Sequence, residues 1–138
     1  MARNYHNIEV YHLAYDFVVE IFKQMKNFPK EEHNIISQMK RAALSIPLNI
    51  AEGSAKASNR EFSYYLNVAY ASAKEVEVLL DLSKDLSYLS EQDFLLLAPK
   101  LDELNAKLFL FLRNVESRIP GKRYHFFKKF EYDDSNSE

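Results

Sequence analysis

Cysteine is absent from the 138 residues, which excludes disulfides and thiolate metal sites together. Glycine occurs twice and proline four times. That is too few turn formers for a sandwich or barrel of many short strands, and it favours long helices. No stretch reaches the roughly 18 uninterrupted apolar residues of a membrane span, and residues 1–7 lack the apolar run of a signal peptide. A cytoplasmic protein with no membrane partner is the expectation. A large charge of one sign is also missing. The formal net charge of −2 gives no global attraction for nucleic acid, so such binding requires a local basic patch.

Apolar side chains are plentiful. The hydrophobic fraction is 47% and the aromatic fraction 14%, which argues against disorder. A chain of this length fits one domain that buries roughly two-thirds of its unfolded surface. The patterning predicts an N-terminal extension over 1–7, a four-helix bundle over 8–118, and a C-terminal tail over 119–138.

The first helix, about 8–26, places Val10, Leu13, Ala14, Phe17, Val18, Ile21, Phe22 and Met25 on one face at helical spacing. Phe28-Pro29 ends it, because a residue before proline is pushed out of the α region. The second, about 30–56, starts behind Pro29 with Glu31 and Glu32 at the positive end of the dipole. Pro47 removes one backbone donor inside it, and a kink rather than a stop is expected. The third, about 58–86, opens on the capping box Ser58-Asn59-Arg60-Glu61. The fourth, about 90–118, opens on Ser90 and Asp93, contains Pro99, and carries the seam Phe94, Leu97, Leu101, Leu104, Leu108, Phe111 and Val115. Leu95, Ala98, Phe109 and Leu112 fall outside that seam. Short connections between long helices predict an antiparallel up-down-up-down bundle.

The third helix has two apolar stripes on opposite sides at 100° per residue. Phe62, Leu66, Ala69, Ala73, Val76 and Leu80 suit the core; Tyr64, Val68, Ala71, Val78 and Leu82, broken by Glu75, need another partner. In the second helix, Leu44, Leu48 and Ala51 flank the main face of Met39, Ala42, Ala43, Ile46 and Ile50. Apolar surface beyond what one bundle hides predicts self-association through Tyr64, Val68, Ala71, Val78, Leu82, Leu44 and Leu48. The competing explanation is that scattered surface apolars are normal.

The stretch Arg41-Ala42-Ala43-Leu44-Ser45-Ile46-Pro47-Leu48-Asn49-Ile50-Ala51-Glu52-Gly53-Ser54 is distinctive, and Ser58, Glu61, Phe62, Ala69, Ser72, Glu75 and Glu77 follow it. It resembles the four-helix-bundle family encoded by intervening sequences within bacterial 23S ribosomal RNA genes. The resemblance covers about residues 8–118. It extends in fold to the accessory protein of diversity-generating retroelements, which forms a pentameric barrel associated with reverse transcriptase and nucleic acid. It thus implies a homopentamer without established enzymatic activity, with RNA or DNA and a reverse transcriptase or other protein as candidate partners. Those accessory proteins are strongly basic, whereas this chain is slightly acidic.

Arg41, Ser45, Asn49, Glu52 and Lys56 form a narrow polar stripe on the second helix. It suits a polar network at a subunit junction, with Arg41 available to phosphate or carboxylate. The competing explanations are a solvated stripe, in which Glu52 and Lys56 form an ordinary i, i+4 pair, and use of Asn49 and Ser45 to bond backbone groups freed by Pro47; structural roles are favoured over ligand contact. The tail Gly121–Phe130 interleaves four cations with four aromatics, and Glu131, Asp133, Asp134 and Glu138 follow. Lys40, Arg41, Lys56, Arg60, Lys122, Arg123, Lys128 and Lys129 are the candidate nucleic-acid contacts. The alternative for the tail is docking of Phe126, Phe127 and Phe130 on its own or a neighbouring subunit.

Enzyme signatures are weak. Glu9-x-x-His12 matches half of a di-iron motif without a second copy, and His6, His33 and His125 share no ligand spacing. The row Glu77, Asp81, Asp85 has the spacing of a solvated charged face. No cofactor is expected. The sequence reads as a non-enzymatic homo-oligomeric scaffold with RNA or DNA as a candidate ligand, and a protein-recruiting adaptor as the alternative.

Overall fold

The computed structural model describes residues 3–121. A 3-10 turn, Tyr5–Asn7, leads into four helices: α1 (Glu9–Met25), α2 (His33–Ser54), α3 (Asn59–Asp85) and α4 (Glu91–Glu116). No strand occurs among the described residues. Each helix packs on its neighbours in chain order, α4 closes on α1, and no diagonal pair approaches closely. The result is a four-cornered bundle with one core.

The starts of the helices follow local chemistry. Ser58 Oγ accepts from the Glu61 amide at 3.1 Å, and Ser90 caps α4 by accepting from the Asp93 amide at 3.0 Å. The Glu61 carboxylate accepts from the Ser58 hydroxyl at 3.2 Å, so the capping box closes through side chains. α2 begins at His33, three residues later than the charge pattern suggests. Residues 29–32 form a turn instead, with the Glu32 amide donating to the Pro29 carbonyl at 3.0 Å. α3 ends in a Schellman motif: the Tyr88 amide reaches the Ser83 carbonyl at 2.9 Å and the Ser87 amide reaches that of Lys84 at 3.0 Å. The motif places Ser87 in the left-handed region, at φ 63°.

Pro47 and Pro99 both lie inside continuous helix. The core stripes of α2 and α3 named above are buried throughout. Leu97, Leu101, Leu104, Leu108 and Val115 of the α4 seam are buried too, with Phe94 and Phe111 half-buried at its margins. Leu112 departs from expectation. It is 2% exposed rather than outside the seam, because its position directly follows Leu108 and Leu101 on the inner side of α4. The most extensive pairing is between α2 and α3, where Ala42, Ala43 and Gly53 of α2 and Ala69, Ser72 and Ala73 of α3 are buried small residues, and Gly53 lies directly against Phe62 and Tyr65.

Candidate self-association surface

The outer side of α3 is apolar and open to solvent. Tyr64 is 64% exposed, Val78 66% and Leu82 45%. Ala71 is also exposed, and Val68 is half-buried. With Glu75 included, these positions step 4, 3, 4, 3, 4 along the helix. That is the spacing of a seam that packs on another helix. The one charge in the seam is already engaged, since the Glu75 carboxylate forms an ion pair with Arg41 of α2, which also donates to Gln38 Oε1 at 2.8 Å.

A second apolar surface lies between α1 and α2, a groove of about 590 Å³. Tyr11, Tyr15, Val18, Val19 and Phe22 of α1 form one wall, and Leu44, Pro47, Leu48 and Ala51 of α2 form the other. Tyr5 closes one end, and Lys23 and Lys26 stand at the opposite end. Burial in this aromatic wall, followed by the neighbouring Tyr5 and Tyr15, pushes the Tyr11 hydroxyl above its ordinary value.

Leu44 and Leu48 thus belong to the groove, while Tyr64, Val68, Ala71, Val78 and Leu82 form a separate stripe. Between them runs the polar stripe of α2. Asn49 Nδ2 donates to the Ser45 carbonyl at 2.7 Å and to Ser45 Oγ at 2.9 Å, and Ser72 Oγ of α3 donates to Ser45 Oγ at 2.8 Å. The carbonyl left without its helical donor by Pro47 is that of Ala43, so Asn49 does not compensate for the proline. Arg41 meets Glu75 one turn away. Glu52 is exposed, and among the described residues no hydrogen bond joins it to Arg41, Ser45 or Asn49. The polar stripe is two small clusters rather than one network of four.

The sequence-derived reading of α1 stopped at its core face and missed Tyr11, Tyr15 and Val19. Their signal was present. Tyr11, Tyr15, Val18 and Phe22 recur at steps of 4, 3 and 4; Val18 and Phe22, expected on the core face, are half-buried and line the groove beside it, because their positions are turned away from the Phe17 and Ile21 side.

Of the candidate nucleic-acid contacts, Lys40 lies over the Phe22 ring at 5.1 Å and Lys56 over the Tyr65 ring at 5.2 Å. Arg41 is held by Glu75, and Arg60 is exposed. Lys122, Arg123, Lys128 and Lys129 lie outside the described residues. Glu9 and His12 turn to structural partners: Glu9 pairs with Lys107 at 2.7 Å and His12 Nε2 contacts the His6 carbonyl at 2.6 Å. Among the described residues no cluster of three or more His, Asp or Glu is arranged for a metal ion, and no helix is long and apolar enough to cross a membrane.

Comparison with known proteins bears on the fold and the family. No curated protein matches the chain. A solved structure, described as a protein of unknown function from the S23 ribosomal protein family of Bacteroides thetaiotaomicron, superposes with a TM-score of 0.71 at 26% identity. The match covers 75% of this chain and 97% of that one. The model of the 23S rRNA-intervening sequence proteins matches residues 6–109, which takes in the whole of α1, α2 and α3 and most of α4. By that match, this chain belongs to the 23S rRNA-intervening sequence protein family.

Proposed function

We propose that this protein is a non-enzymatic, cytoplasmic, homo-oligomeric scaffold, and that copies join through the outer stripe of α3. The observation that carries this reading is the stripe itself, a seam with helix-packing spacing from Tyr64 to Leu82 whose Tyr64, Ala71, Val78 and Leu82 are exposed. An up-down-up-down arrangement underlies it. Contacts between α2 and α3 pair Arg41 with Glu75, Ser45 with Ser72, and Gly53 with Phe62, and so run in opposite senses. The start of α1 likewise meets the later half of α4 through Glu9 and Lys107. Five copies is the number the family resemblance favours.

The test is light scattering on the full chain. Wild-type protein is expected as a multimer, and Val78→Lys with Leu82→Lys is expected to give a monomer of unchanged helical content. A wild-type chain that stays monomeric at micromolar concentration removes the scaffold and leaves the adaptor, a bundle whose open face recruits a different protein.

RNA or DNA is proposed as a ligand of the assembly, through Lys40, Arg41, Lys56 and Arg60 with the cations of the tail. Multiplying these charges around an oligomer would supply the local basic density that one slightly acidic copy lacks. A gel shift that weakens steeply with salt, and is lost when Lys122, Arg123, Lys128 and Lys129 become glutamine, supports this. No shift at low salt removes it.

A further inference from the structure

We propose that the groove between α1 and α2 is the seat for the outer stripe of α3 from a second copy, with the two copies pointing the same way. The inference rests on the self-association reading above and names the opposite half of that contact.

Three observations converge. The first is fit. The α3 seam from Tyr64 to Leu82 extends about 27 Å at 1.5 Å per residue, and the groove from Tyr11 to Lys26 about 22 Å. Both are apolar along their length, and Arg41 neutralises the single interrupting charge, Glu75, from within the same chain.

The second is charge. Lys23 and Lys26 line only the end of the groove where α1 finishes, and no acidic residue lines the groove at all. On α3 the exposed acids Asp81 and Asp85 flank Leu82, at the end where that helix finishes. Opposite charges therefore meet when the incoming α3 runs parallel to α1, and would lie at opposite ends if it ran the other way.

The third is symmetry. In an up-down-up-down bundle α1 and α3 of one copy already point the same way. An incoming α3 parallel to α1 thus brings a second copy in the same orientation as the first. Groove and stripe are different surfaces, so the contact is head-to-tail. However many copies are added, the assembly keeps one unused groove and one unused stripe until rotation closes a ring. A two-fold pair of stripes would set α3 against α3 and leave both grooves open.

The experiment uses full chains and two variants. Val19→Lys with Leu48→Lys disables the groove; Val78→Lys with Leu82→Lys disables the stripe. Each alone is expected to be monomeric by light scattering with wild-type circular dichroism. Mixed one to one, they are expected to form a heterodimer and nothing larger, because only one intact groove and one intact stripe remain. If the groove variant assembles as the wild type does while the stripe variant dissociates, the groove is not the seat, although self-association stands. A monomeric wild type overturns both. Should the groove lysines disturb folding, Val19→Ser with Leu48→Ser takes their place.

Orientation has its own readout. Lys23→Glu with Lys26→Glu is expected to raise the concentration needed for half-assembly by about tenfold, and Asp81→Lys with Asp85→Lys in the same chain to restore it. Failure of that rescue overturns the parallel arrangement. A photo-crosslinker at Leu48 is expected to capture α3 peptides of another copy. Capture of residues 122–138 of the same chain would show that the tail, not a second copy, fills the groove.

Discussion

A Cβ built on Gly53 would stand 2.7 Å from the Cβ of Tyr65 and 3.0 Å from Cδ1 of Phe62. α2 and α3 therefore touch at this point with only hydrogen between them. Tyr65 Cβ is fixed by its backbone and cannot swing aside, so any side chain at 53 must push the two helices apart. Gly53→Ala gains about 1 kcal/mol of helix propensity but incurs overpacking of about 1–3 kcal/mol. The expected outcome is a net loss of about 1 kcal/mol in chemical denaturation. A gain in stability would show that the helices have room there.

Ser87 presents the converse case. Its φ of 63° is a conformation in which a Cβ is unfavourable, and the Schellman bonds hold it there. Ser87→Gly is expected to raise stability by about 1 kcal/mol, read as a higher denaturation midpoint at unchanged slope. A lower midpoint would mean that the serine side chain contributes more than its backbone strain removes.

Asn105 is a buried polar group whose needs are poorly met. Its Nδ2 donates to Glu77 Oε2 at 3.4 Å, and its Oδ1 has no hydrogen-bond partner among the described residues. An apolar residue of similar size removes the unmet acceptor. Asn105→Leu is expected to raise stability by about 1 kcal/mol. A clear fall would indicate that Asn105 is satisfied in the assembled protein, and light scattering on the variant would then show weaker assembly.

Lys107 links α4 to α1. Hydrogen bonds to Glu9 first, and then to Glu103, hold its pKa above the ordinary 10.5. Because the folded value is the higher one, the contribution of these bonds to stability is complete below pH 10.5 and is lost as pH rises through the elevated value. Following Lys107 by heteronuclear NMR, Glu9→Gln is expected to move its titration down towards 10.5. An unchanged curve would show that the α1–α4 bridge does not form in solution.

How much of this was legible in the sequence differs from element to element. The core faces of α2 and α3 were, because a buried helix face repeats at 3.6 residues whatever surrounds it. Ser58 and Ser90 as caps were, because the bond they make spans three residues of the same chain. The start of α2 was not. Acidic residues after Pro29 signal a helix start, but they do not say whether a turn comes first. Leu112 was misplaced because a seam written in alternating threes and fours leaves its flanks ambiguous by one residue.

The candidate surface divides along the same line. The sequence by itself determined that α3 is apolar on two opposite sides and that Leu44 and Leu48 stand off the main face of α2, because helical periodicity is a property of one segment. Only the tertiary structure decided that Leu44 and Leu48 share a groove with Tyr11, Tyr15 and Val19. It also decided that Arg41 meets Glu75 in the middle of the stripe. Those partners are 34 residues apart or come from different helices. Which helix faces another depends on how four stripes satisfy one another in three dimensions, and no local pattern carries that information.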